Sequence, residues 1–213
     1  MHYKITTLVE NAVYGRSLQA EHGLSLLIES EGYKILFDTG QSDLFIRNAA
    51  LLDIDIAEVD FLILSHGQTE LIPGLFLFPD LPVINPEDTH FERFFTQTPE
   101  GVVPDIFNDE LAIALIAENT YSVLSACSHR GITNILQTIG NSFPGYTLQL
   151  LAGGFHIHNA KDEKFNIIAD YLKNNLPEQI GICHCTGIDK YALFRLIFGG
   201  RVFYNYTGNT FYL

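Results

Sequence analysis

The stretch Leu62-Ile63-Leu64-Ser65-His66-Gly67-Gln68-Thr69-Glu70-Leu71-Ile72-Pro73-Gly74-Leu75 decides how the rest of this chain is read. Apolar residues run into Ser65 and His66, Gly67 supplies a turn, and Gln68 and Glu70 follow at alternate positions. A strand ending this way projects several polar side chains into one small volume at its C-terminal edge, where ligands and active sites gather. Four other places share the pattern of an apolar strand closed by a His or Asp with small residues beside it. They are Phe37-Asp38-Thr39-Gly40, Ser125-Ala126-Cys127-Ser128-His129-Arg130-Gly131, Gly153-Gly154-Phe155-His156 and Cys183-His184-Cys185-Thr186-Gly187. Metal sites draw imidazoles and carboxylates from such distant, rigid segments into one place.

Between these points strands and helices alternate. Strands are expected at Tyr3 to Val9, at Leu24 to Glu29 with Lys34 to Phe37 as a hairpin, and at Phe61 to Leu64 as a buried strand. Ser42 is placed to cap a helix from Asp43 to about Leu52, and a short helix is expected around Pro73 to Leu77. Pro79, Pro82, Pro86, Pro99 and Pro104, five of the eight prolines, mark the span between them as a loop or lid, with one helical turn near Phe91 to Phe95. Further on, Leu111 to Ala117 and Tyr121 to Ser125 form a second hairpin. Helices follow at Ile132 to Ile139, Lys164 to Asn174 and Asp189 to Phe198, with strands at Thr147 to Leu151, Ile180 to Cys183, Arg201 to Tyr204 and Thr210 to Leu213. The two halves repeat a similar order, which fits two face-to-face sheets with helices outside.

Asn11, Ala20-Glu21-His22-Gly23-Leu24-Ser25, Phe37-Asp38-Thr39-Gly40, the Ser65-His66-Gly67 strand end, Asp109-Glu110, Cys127-Ser128-His129-Arg130-Gly131-Ile132, Gly153-Gly154-Phe155-His156 and His184-Cys185-Thr186-Gly187 occur in that order. Together they resemble the metallo-β-lactamase superfamily, in particular its dihydropterin ribofuranosyl-aminobenzene phosphate synthase-like subgroup. The resemblance implies an α/β fold, a four-layer αββα sandwich, in a single domain over 1–213. By position it implies metal ligation by His66, His129 and His184, and a supporting role for Asp38. It puts His156 where many relatives carry a bridging Asp, and it makes His22 and Glu21 pocket residues.

The family's His-x-His-x-Asp-His motif is degenerate here: Gln68 replaces the second His, Glu70 the Asp, and Leu71 the last His. Gln68 then reads as a hydrogen-bonding wall residue. His66, His129 and His184, with or without Glu70, leave a one-metal site, since three protein ligands and a water suffice for catalysis. The metal is zinc, with manganese or iron as alternatives. Two readings follow. One is a metal-dependent hydrolase in which Glu70 ligates or acts as base, and His156 stabilises an oxyanion or donates a proton. The other is a catalytically inactive relative that binds a ligand or a protein and holds no metal.

Composition narrows the partners. The 213 residues are 47% hydrophobic and 17% charged, as in a compact globule with a full core. A net charge of −13 with only 12 Lys and Arg argues against nucleic acid and against an anionic membrane, leaving a small-molecule substrate or ligand. Oligomeric state is not legible. The longest apolar run, near Leu111 to Ile116, is strand-sized, and the N-terminus lacks a signal-peptide pattern, so a cytoplasmic location is expected. Three cysteines do not make a disulfide framework. Cys183 and Cys185 alternate around His184 on one strand face and read as small buried thiols, with thiolate ligation the alternative. Arg130 and Lys190 read as solvated cations beside site loops, with binding of an anionic substrate group the alternative.

Overall fold

The computed structural model describes residues 2–14, 17–64, 72–92, 94–99 and 101–213. The first part of the chain runs β1 (Lys4–Val9), β2 (Ser25–Ser30), β3 (Tyr33–Phe37), α1 (Leu44–Leu51), β4 (Phe61–Ile63) and β5 (Leu75–Phe78). The ribbon β6 (Phe95–Thr98) and β7 (Gly101–Pro104) follows, then β8 (Ala112–Ala117), β9 (Thr120–Ser125), α2 (Ile132–Ser142) and β10 (Thr147–Gly153). The chain closes with α3 (Asp162–Asn174), β11 (Gln179–Ile182), α4 (Ile188–Phe198), β12 (Val202–Tyr204) and β13 (Thr210–Tyr212).

One sheet has the order β13-β1-β2-β3-β4 and the other β12-β11-β10-β9-β8-β5. Alternation along the strands sorts the apolar side chains into layers. Ile5, Leu26, Ile28, Ile35 and Phe37 meet Leu111, Ile113, Leu115, Leu124 and Leu150 between the sheets. Leu8, Leu27 and Leu36 point the other way, onto Ala49 of α1. On the far side Ala112, Ala114, Val123 and Leu151 pack against α2, α3 and Phe194 of α4. In α2, Ile132, Ile135, Leu136 and Ile139 repeat at helical spacing and supply that face. The result is the four-layer αββα arrangement.

Three local expectations change. Pro73 to Leu77 is not helical: Leu75–Phe78 is strand β5, antiparallel to β8 with Leu75 opposite Leu115. Leu75 and Leu77 alternate onto the inter-sheet core, and pairing with β8 outweighs the helix-start signal of Pro73. Strand β4 lies at a sheet edge, with Leu62 and Leu64 about half exposed, rather than being buried. The helical turn of the proline-rich span is a 3₁₀ turn at Pro86–Asp88, where Pro86 presets the backbone, and Phe95 instead begins β6.

Candidate metal centre

The C-terminal ends of β9, β10 and β11 stop side by side. β10 is parallel to both neighbours, so the loops after Ser125, Gly153 and Ile182 leave the sheet in the same direction. They carry Cys127 and His129, His156, and His184 and Cys185. The ends are stitched together: Ser125 and Ser128 share a hydroxyl bond, Ser128 Oγ donates to Gly154 O, and Gly154 N donates to Ala126 O. Ser128, His156, His184 and Asp38 all have φ between 50° and 57°, a region non-glycine residues seldom occupy. Such strain persists only where surrounding bonds over-determine it, and it gathers at functional sites.

Two buried carboxylates supply those bonds. Glu110 takes the backbone N–H of His129 at 2.6 Å and of Arg130 at 2.7 Å, one on each oxygen. Glu10 takes the N–H of His184 and of Ala12, each at 2.6 Å, and the Tyr204 hydroxyl at 3.2 Å. Burial pushes the pKa of both carboxyls upward against these bonds. Gly131, at φ +94°, turns the chain into α2, and a side chain there would meet Asp88 O at 2.8 Å.

The functional groups converge. The donor atoms of Cys127, His129 and His156 lie within 4.8 Å of one another, and so do those of Cys127, His184 and Cys185. Cys127 is common to both sets, and its Sγ is 3.0 Å from His184 Nε2. Phe107 stacks flat on the His129 ring, with centroids 3.8 Å apart, and Phe94 packs edge-on to both His129 and His156. Among the described residues, Nδ1 of His129 and Nδ1 of His156 are buried with no hydrogen-bond partner. Contact with Cys185, then hydrogen bonds from His129, His156 and His184, hold the Cys127 thiol well below its ordinary pKa although burial opposes this. Burial works to lower His184, but the Cys127 sulfur and the charges of Glu10 and Asp38 raise it overall.

A cleft of about 1200 Å³ opens beside the cluster, with His22, His90, Phe94, His156, His184, Cys185 and Tyr204 among its walls. His22 packs on His184 at 4.8 Å between ring centroids. Asp38 sits at the end of β3. Glu21, by contrast, is taken up by the N–H groups of Gln41 and Ser42 and the Ser42 hydroxyl, so it fastens a loop rather than lining the cleft. His66, Gln68, Glu70 and Leu71 lie outside the described residues.

The model of the metallo-β-lactamase superfamily matches residues 18–67. A solved metal-dependent hydrolase of the β-lactamase superfamily superposes with a TM-score of 0.84, at 23% identity, over 98% of each chain. The chain has the metallo-β-lactamase fold. The superfamily protein YhfI of Bacillus subtilis superposes with a TM-score of 0.62 at 13% identity, over 100% of this chain and 99% of its own. In sequence, the 7,8-dihydropterin-6-methyl-4-(β-D-ribofuranosyl)-aminobenzene-5′-phosphate synthase of Methanocaldococcus jannaschii is 25% identical over 264 positions, covering 90% of each protein. Among the described residues no helix is long and apolar enough to cross a membrane.

Within this metallo-β-lactamase fold, some sequence expectations change. Cys183 and Cys185 do not share a face. The chain leaves β11 into a 3₁₀ turn at His184–Thr186, so Cys183 stays in the inter-sheet core while Cys185 turns to the cluster. Arg130 is neither a solvated cation nor an anion site; it binds Leu81 O, Ile106 O and Asn108 Oδ1. Lys190 is buried beside Asp162 and the Phe165 ring. Sequence reasoning missed Cys127 as a donor, although it stands two positions from His129 in the same strand-end loop. It also missed the two glutamate clamps. Glu10 follows directly on the apolar run of β1, which is the signal that it is buried.

Proposed function

We propose that this chain is a metal-dependent hydrolase of a small molecule, with its metal held in the cluster at the ends of β9, β10 and β11. The observation that carries the reading is the donor set itself: thiol and imidazole groups from three loops, with two buried imidazole nitrogens that have no hydrogen-bond partner among the described residues. Buried polar atoms are normally satisfied, so such nitrogens fit a cation. His129 and His184, with Cys127 and Cys185 beside them, would hold it. His66 and Glu70 join the set on the strength of the family resemblance alone. Bound there, a divalent ion lowers the pKa of water toward neutrality and polarises the bond to be cut.

The chain's own residues do the rest. Glu10 and Glu110 fix the backbone at His184 and His129, so the imidazoles are pre-oriented rather than ordered on binding. Phe94 and Phe107 cover the His129 and His156 rings and keep water from that side. His156 borders both cluster and cleft and is the group placed to hydrogen-bond an oxygen on which charge develops. The cleft, at about 1200 Å³, has room for a small molecule. The relative from Methanocaldococcus jannaschii is named a synthase, so the substrate class of this chain is to be found by screening.

The test is elemental analysis of protein purified without chelator, followed by a screen of ester, lactone and phosphodiester substrates. Retained metal, and hydrolysis abolished by chelator and restored by metal, is the expected result. No retained metal and no chelator-sensitive hydrolysis would overturn the reading and leave a binding protein on this fold.

A further inference from the structure

Two of the three sulfur atoms, those of Cys127 and Cys185, sit in the cluster. We infer that Cys127, His184 and Cys185 form a thiolate–imidazole site, so that this centre takes a thiophilic ion such as zinc, cobalt or cadmium in preference to magnesium or manganese. The inference rests on the reading of the chain as a metal protein and specifies its ligand chemistry.

Four observations carry it. First, the three donor atoms lie within 4.8 Å of one another. Tetrahedral donors at about 2.0–2.3 Å from one ion stand about 3.3–3.8 Å apart, so a small inward movement brings the three onto a single ion.

Second, the hydrogen-bond network fixes which nitrogen of His184 faces the sulfur. Gly23 N–H donates to Asn11 Oδ1 at 3.2 Å, which identifies that atom as the oxygen. The same oxygen is 3.1 Å from His184 Nδ1, so Nδ1 carries a proton and donates. The Asn11 amide nitrogen then faces His22 Nδ1 at 3.3 Å and His184 O at 3.4 Å, both acceptors. His184 Nε2 is thereby aimed at Cys127 Sγ, 3.0 Å away, with a single proton between them. An imidazole whose far N–H is anchored by an oxygen is the arrangement of metal-ligating His, and a cation displaces the shared proton.

Third, Cys185 is given room and a donor. A side chain at position 154 would place Cβ 2.6 Å from Cys185 Sγ, so Gly154 is what lets the sulfur approach. The backbone N–H of His156 donates to that sulfur at 3.2 Å. Fourth, the remaining thiol, Cys183, is sealed in the inter-sheet core, so sulfur is directed to the cluster by the 3₁₀ turn and not by general burial. Thiolate donors select zinc-like ions, whereas magnesium and manganese prefer oxygen.

The experiment is titration of the metal-stripped, full-length protein with cobalt(II), followed by absorbance and by elemental analysis. A sulfur-to-cobalt charge-transfer band in the near ultraviolet is expected, falling to about half in Cys185→Ser and in Cys127→Ser and disappearing when both are replaced, as ligation by two thiolates requires. Cys183→Ala should leave the band at full intensity. Independently of any variant, cadmium loading of the unaltered protein should protect Cys127 and Cys185 from maleimide in the peptide map. An excess of magnesium or manganese should give no protection. Cobalt bound without a charge-transfer band, or a band unchanged in either Cys127→Ser or Cys185→Ser, would overturn the thiolate site while leaving a metal protein. No cobalt bound at all would overturn this inference and the proposed function together.

Discussion

Replacing Glu110 by Gln tests whether the site is held by its carboxylate clamp. The side chain keeps its size, but one of two acceptors becomes an NH₂ group. Glu110 now receives His129 N–H at 2.6 Å on one oxygen and Arg130 N–H at 2.7 Å on the other. In Glu110→Gln one bond is lost and a donor is set against a donor. A hydrogen bond to a charged group contributes about 1.5–3 kcal/mol, and an orphaned buried donor costs about 1–3 kcal/mol. Removing a buried charge returns part of that, because burial already disfavours the ionised form. The net expectation is a loss of about 1–3 kcal/mol, or about 2–12 °C in Tm for a chain of this size. Urea unfolding followed by circular dichroism measures it. Glu58→Gln, at an exposed ion pair with Lys34, is the control and should change stability by less than about 1 kcal/mol. The penalty should also depend on pH. The folded pKa of Glu110 is raised above its ordinary 4.5, so between those values the native state binds more protons than the unfolded state. Its contribution to stability therefore falls as pH rises from 4.5 through the folded pKa, and the gap between the unaltered protein and the variant narrows over that interval. A Gln variant as stable as the parent at every pH would refute the clamp.

Glu10→Gln should behave in the same way at the other loop, losing about 1–3 kcal/mol by urea unfolding, because His184 N–H and Ala12 N–H take separate oxygens. Gly154→Ala forces Cβ to 2.6 Å from Cys185 Sγ and 2.7 Å from Ala126 O. We expect about 1–3 kcal/mol of destabilisation, with weaker cobalt binding by equilibrium dialysis. Lys164→Met removes the donor that ties α3 to Thr89 O and to Glu92, and to His90 at the cleft wall. It should lower stability by about 0.5–1.5 kcal/mol and speed amide exchange in residues 86–92 while leaving exchange in β8 to β11 as it was, read by mass spectrometry.

The layers of the fold were legible because the strands alternate and α2 and α3 keep helical spacing over several turns. Where the reading erred, local signals met tertiary pairing: Pro73 favours a helix start, yet β8 needs an edge partner and Leu75–Phe78 supplies it. The site was legible as far as positions go. His129, His156, His184 and Asp38 lie at the strand ends the sequence marked, and His22, in the segment before β2, packs on His184. What they do together was not legible, because it depends on backbone turns that composition does not disclose. Ser128, His156 and His184 each take a left-handed conformation without glycine, and that is what swings Cys127 and Cys185 inward and leaves Cys183 behind. A strand pattern extended one residue too far, through Cys183, is enough to put both sulfurs on the same face.

The Glu10 clamp spans 174 residues of chain, from the end of the first strand to the loop after β11. During synthesis at about 5–20 residues per second, about 9–35 s separate the emergence of Glu10 from that of its partner. Through that interval the Glu10 carboxylate lacks the His184 N–H, and the thiol of Cys127 waits without the His184 imidazole. A ribosome-bound fragment ending before β11 therefore has strands of both sheets and the Cys127, His129 and His156 group, while the Cys127, His184 and Cys185 group is assembled only after the last parallel loop has emerged.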